Sequence, residues 1–165
     1  MGKEYSVQEA LKLAIQAEKD SMDFYRRAAT VTQNERAKKV FELLANEEVG
    51  HLKSFFDHYK GGAFGDLQSF MATPPNRDNP IFRQLEQAIT AETHEQNALE
   101  IAMKEEKTTL DRYATMAKDI VDPLVRAIFD RVVKETQGHY DMIEEEYSHV
   151  MGMVSKSDQD IYVRE

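Results

Sequence analysis

The chain has 165 residues, a formal net charge of −9 and no cysteine, which rules out disulfides, thiolate-bound metals and cysteine nucleophiles. Charged residues make up 31% and hydrophobic ones 41%, and with 7 Gly and 4 Pro the composition favours long helices in one domain over a turn-rich β fold. The acidity argues against nucleic acid as a partner, and no apolar run approaches the roughly twenty residues needed to span a bilayer. The first six residues, Met1 to Ser6, lack an apolar signal core, so a cytoplasmic protein is expected.

In chain order, Ala10, Leu11, Ala14, Ile15, Met22, Tyr25 and Ala29 recur at three- and four-residue spacing, which predicts a helix from Ser6 to about Val31. Ser6 and Glu9 read as its capping box. A second box, Thr32 to Glu35, predicts the start of another helix, which carries Ala37, Val40, Phe41, Leu44, Leu52, Phe55 and Phe56 and stops at Gly61-Gly62. Residues 61–80, with Pro74, Pro75 and Pro80, read as an irregular connection, followed by a short helix from Ile81 to Ile89. A third long helix spans about Glu95 to Lys118, and a fourth opens at Asp122-Pro123 and runs to about Met151. The expected fold is all-α, an antiparallel four-helix bundle of two helical hairpins joined by a long crossover. It would occupy residues 1–154, with a polar tail over 155–165.

The halves of the chain match without a gap at a shift of 88 residues, 6–59 onto 94–147. Ala10, Leu11, Ala14, Glu18, Lys19, Asp23, Tyr25 and Ala29 reappear as Ala98, Leu99, Ala102, Glu106, Lys107, Asp111, Tyr113 and Ala117. Phe41, Glu47, Gly50 and His51 become Phe129, Glu135, Gly138 and His139. Amphipathic patterning explains the apolar matches. It does not explain a matched Glu, His and Tyr on an inner stripe.

Those polar matches carry the candidate chemistry. Glu18 lies four residues after Ala14 and four before Met22, on the apolar face, and Glu106 is flanked in the same way. A carboxylate there is costly unless it is paired or bound to a cation. Glu48-Val-Gly-His51 sets a carboxylate and an imidazole one turn apart on one helix face. Two such helical pairs, with a Glu from each of two other helices, supply oxygen and nitrogen ligands for two ions. His58, His94 and His149 have no repeat counterpart and read as surface or bundle-end residues, and Glu144 to Glu146 reads as a solvated acidic run.

The segments Ala14 to Tyr25 and Leu44 to His51 closely resemble the rubrerythrin-like branch of the ferritin-like superfamily, and the resemblance extends over all four helices. It implies two bound ions, iron first, with Mn or Zn accepted by the same donors. It makes Glu18 and Glu106 terminal ligands, Glu48 a bridging ligand, and His51 and His139 one nitrogen ligand to each ion. Tyr25 and Tyr113 would then hydrogen-bond across the bundle to ligating carboxylates. The chain departs from the family pattern where the fourth helix should carry a bridging Glu: that residue is Thr136. Glu135, four before His139, stands as a substitute ligand or, like Glu47 in the second helix, as an outer residue. A further family Glu is replaced by Thr109, and the chain has no cysteine for a rubredoxin module. The expected function is a di-iron redox protein that reduces peroxide or dioxygen, or oxidises Fe(II), as a homodimer fed by an external electron-donor protein. The alternatives are an iron-binding or iron-handling protein without efficient turnover, because Thr136 removes a bridge, and a metal-poor bundle that serves as an interaction module.

Overall fold

A computed structural model describes residues 6–89 and 94–163, with the side chains of the last helix described as far as Gly152. Among these residues it is all-helical, with six helices: α1 (Val7–Val31), α2 (Glu35–Phe56), α3 (Leu67–Met71), α4 (Pro80–Ala88), α5 (His94–Asp119) and α6 (Pro123–Val163). The Ser6 side chain accepts from the Glu9 amide and caps α1 as expected. The start of α2 differs from expectation. Its cap is Asn34, whose Oδ1 accepts from the Ala37 amide at 3.0 Å, while Thr32 closes α1 by donating from Oγ1 to the Ala28 carbonyl. Both residue types can cap a helix, and the chain uses each at a different end of a three-residue link.

The crossover holds one element that the sequence reading left irregular. Gly65, at φ 68°, turns the chain into the Asp66 cap of the five-residue α3. Asn79 caps α4 ahead of Pro80, with its Oδ1 accepting from the Ile81 and Phe82 amides. The last helix runs past the expected end near Met151 to Val163. Gly152 weakens a helix by only about 1 kcal/mol, and no proline follows it to stop the helix.

Helix α1 packs along α2, α5 along α6, α2 touches α6, and α4 lies against α1 and α5. The buried apolar residues divide into two clusters. One holds Ala10 to Met22 of α1, Leu52 and Phe55 of α2, Tyr113 to Ala117 of α5 and Val125 to Val132 of α6. The other holds Phe24 to Ala29 of α1, Ala37 to Ala45 of α2, Ala98 to Ala102 of α5 and Ile143 of α6. Followed along the chain, α1 and α6 therefore pass from the first cluster to the second, and α2 and α5 pass from the second to the first. Each fully buried Phe in these clusters, such as Phe41, Phe55 and Phe129, contributes about 1.5–3 kcal/mol relative to exposure. No helix among the described residues is long and apolar enough to cross a membrane.

Candidate metal centre

Between the apolar clusters each long helix contributes polar residues to one buried belt. Glu18 from α1, Glu48 and His51 from α2, Glu106 from α5, and Thr136 and His139 from α6 are all at most 5% exposed. Glu18 and Glu106 reach the belt because they occupy the core stripe of their helices, and Glu48 and His51 because three residues make nearly one helical turn.

The donor atoms converge. His51 Nδ1 lies 3.3 Å from Glu18 Oε1 and 3.6 Å from Glu48 Oε2. His139 Nδ1 lies 3.4 Å from Glu48 Oε1 and 3.8 Å from Glu106 Oε1. The residues thus form two groups, Glu18–Glu48–His51 and Glu48–Glu106–His139, each with one ligand atom per residue and all these atoms within 4.8 Å of one another. Glu48 belongs to both and turns one oxygen to each half. The two imidazoles stack between the halves, with centroids 5.3 Å apart.

Glu18 Oε1, Glu48 Oε2, His51 Nδ1 and His139 Nδ1 are buried without a hydrogen-bond partner. Each such atom costs about 1–3 kcal/mol if nothing satisfies it, and all four point into the same space. A pair of divalent cations would satisfy them, and three carboxylates would offset most of the charge those cations bring.

The model of the rubrerythrin family matches residues 9–147, a span that contains every one of these residues. The chain belongs to the rubrerythrin family. Over 129 residues, 78% of each chain, it is 24% identical to an uncharacterized protein, YhjR, of Bacillus subtilis (strain 168). No solved structure matches it.

The electrostatics of this rubrerythrin site follow from its burial. Burial, and then the neighbouring Glu48 charge, push the Glu18 carboxyl well above its usual range. Burial alone would raise Glu48 too, but its contacts with Glu18, His139 and His51 outweigh that and hold it well below the usual carboxylate range. Burial disfavours charge on the imidazoles, yet Glu18 and Glu48 push His51 up to about 11, and Glu106 and Glu48 push His139 up to about 10. Burial also raises Glu106, against the opposing pull of His139. Without a cation, then, the surrounding carboxylates favour the protonated form of both imidazoles.

The tyrosines divide. The Tyr25 hydroxyl donates to Glu106 Oε1, as the family resemblance implies. The Tyr113 hydroxyl donates instead to the Ala14 backbone carbonyl, at 3.3 Å, and not to Glu18. Thr136 is buried at the position of the absent bridging Glu, and Thr109 is buried as well. Glu135 stands outside both three-residue groups: its Oε2 lies 3.5 Å from His51 Nε2, the nitrogen turned away from the carboxylates. One residue of helix is a rotation of about 100°, enough to carry the Glu135 carboxylate off the belt and onto the outer side of α2's imidazole.

His58 and His94 are half-buried and His149 is exposed, none of them in the belt. The acidic run is not uniformly solvated. Glu144 and Glu145 are exposed, but Glu146 is 3% exposed and pairs with Arg36 Nε at 2.7 Å. Sequence reasoning also missed the burial of Lys19, which pairs with Asp23 and donates to the Thr73 carbonyl under the crossover. Its repeat counterpart Lys107 is exposed, so nothing in the local pattern separated the two.

Proposed function

We propose that the chain is a non-haem di-iron protein of rubrerythrin type that reduces peroxide or dioxygen, or oxidises Fe(II), with electrons from an external donor protein. The observation that carries this reading is Glu48, whose two oxygens face two different imidazole–carboxylate pairs in a buried belt. We take the four long helices to form a ferritin-like antiparallel bundle of two hairpins joined by the crossover. The alternating passage of α1, α2, α5 and α6 between the two apolar clusters supports that architecture. Cytoplasmic location and a homodimer complete the proposal, with the exposed Leu13 and Leu43 as apolar surface for such a contact.

In this reading Glu18, Glu48 and His51 would hold one ion, and Glu48, Glu106 and His139 the other. When bound, the pair supplies one-electron redox steps at two adjacent centres and a place for the oxidant to attach. The chain's own residues do the rest. Tyr25 fixes the orientation of Glu106, and the apolar clusters on both sides keep bulk water from the belt. Mn or Zn suits the same donors, and availability would select among the three.

A second reading is an iron-binding or iron-handling protein without efficient turnover. The buried Thr136 favours it, because a hydroxyl cannot replace a carboxylate that neutralises and bridges two cations. Protein purified anaerobically, loaded with two Fe(II) per chain and given a reductant is expected to consume peroxide over repeated turnovers. Stoichiometric iron with a single turnover at most would favour the second reading, and absence of stoichiometric metal would sink both.

A further inference from the structure

The two imidazoles have the same neighbours in front of them and different ones behind. His51 Nδ1 faces Glu18 and Glu48, so a ring that binds a cation through Nδ1 carries its proton on Nε2. Glu135 Oε2 faces that nitrogen at 3.5 Å, and this oxygen is buried and has no hydrogen-bond partner. The other Glu135 oxygen lies 3.9 Å from Arg131 Nε, and Arg131 Nη2 donates to Ser54 Oγ at 2.6 Å, one turn beyond His51 on α2. Arg131 thereby links α6 to α2 beside the Glu135 carboxylate.

Behind His139 no such ion pair is found among the described residues. Among the described residues its ion-pair partners are Glu48 and Glu106, both through Nδ1. Glu47, the repeat counterpart of Glu135, is exposed. The tyrosines add to the difference. Tyr25 donates to Glu106 Oε1, the oxygen that faces His139. Tyr113 is spent on the Ala14 carbonyl, which leaves Glu18 Oε1 without a donor.

We infer that the two halves of the centre are inequivalent: Glu135 is a positioning residue for His51, and the Glu18–Glu48–His51 half takes up a divalent cation first and more tightly. The inference rests on the metal-centre reading above. A carboxylate that accepts from the far nitrogen of a ligating imidazole fixes the ring and its tautomer and raises its basicity, and losing such a partner costs about 10–100-fold in metal affinity. The Tyr25 bond orients the Glu106 carboxylate and leaves the His139 ring itself without such a partner. The support for an imidazole therefore lies behind His51 and not behind His139.

The test is anaerobic titration of the metal-free, full-length protein with Co(II), followed by calorimetry and by the visible spectrum. The parent is expected to bind in two steps, the first at least about tenfold tighter than the second. Glu135→Ala is expected to weaken the first step by about 10–100-fold, to leave the second unchanged and to alter the spectrum of the first equivalent. Glu135→Gln, which keeps an acceptor oxygen, is expected to recover part of the loss. Unchanged helical circular dichroism in both variants would show that the fold survives at this partly exposed position. Two equal steps in the parent, or a first step indifferent to Glu135→Ala, would overturn the inference while leaving the metal centre standing. Failure of the parent to take up any Co(II) would overturn the metal-centre reading, and this inference with it.

Discussion

Replacing Glu48 with Gln tests whether the two halves share one carboxylate. The substitution keeps the side chain's shape and removes its negative charge from both groups at once, whereas Glu18→Gln or Glu106→Gln removes it from one. Losing a residue that merely orients a ligand costs 10–100-fold in affinity, so losing the charge of the ligand itself costs more than about 100-fold per ion, or about 2.7 kcal/mol. Free metal at about 100 times each dissociation constant stabilises the parent by about 2.7 kcal/mol per ion, so about 5 kcal/mol for two. At roughly 2–4 °C per kcal/mol for a chain of this size, that is a rise in melting temperature of about 10–20 °C. Glu48→Gln is expected to lose the whole rise and to retain no stoichiometric metal, while Glu18→Gln and Glu106→Gln each keep one ion and about half of the rise. Metal counting by mass spectrometry and scanning calorimetry with and without metal read both quantities. A Glu48→Gln protein that still holds two ions refutes the shared-carboxylate geometry, and so does a set of three variants that behave alike.

Four further expectations follow from the same structure. Thr136→Glu puts a carboxylate back into the belt and is expected to tighten the weaker ion by more than tenfold, read by metal titration; unchanged affinity would show that the absent bridge does not limit binding. Because His51 and His139 are held up to about 11 and about 10, each must shed a proton to bind a cation, so affinity should rise by about tenfold per pH unit for each proton released around neutrality. Calorimetry in buffers of different ionisation enthalpy counts those protons, and a count near zero at pH 7 would contradict the charged imidazoles. The same shifts set the metal-free protein's stability. A His raised above its unfolded value of about 6.5 contributes stability that is full below that value and is lost as pH rises through about 10–11, so metal-free melting temperatures should fall over that window. Arg36→Ala leaves the buried Glu146 without its partner; after discounting for the half-exposed arginine, the expected cost is about 2–4 kcal/mol in urea unfolding, and a change below about 0.5 kcal/mol would mean that the pair is immaterial.

The four long helices were legible because their cores follow the 3.6-residue period over twenty residues or more, and the centre was legible because its Glu and His residues break that apolar stripe at repeated positions. What was not legible depends on neighbours distant in sequence. Thr32 and Asn34 are both good caps, and only the packed geometry of the link decides which one opens α2. Glu146 sits in an acidic run indistinguishable from a solvated face until α2 brings Arg36 against it, 110 residues away. Glu135 left two readings open, a ligand or an outer residue, and it lies outside both ligand groups with its Oε2 3.5 Å from the far nitrogen of His51, an imidazole of the other hairpin.

The repeat shows where sequence symmetry ends. Lys19-Asp23 and Lys107-Asp111 are the same pair in the two halves, yet the first is buried beneath Phe70 and Thr73 and the second lies in solvent, because the crossover covers α1 there. Tyr25 and Tyr113 are likewise matched in sequence and end on different acceptors, a carboxylate and a backbone carbonyl. A duplicated hairpin by itself would make two equivalent ion sites. Here the departures fall at one ligand position, where Thr136 stands opposite Glu48, and on the groups behind the ligands, which set how strongly each ligand binds. Matched Glu and His residues around a single shared Glu48, together with unmatched groups behind the imidazoles, are the arrangement that would load one ion before the other.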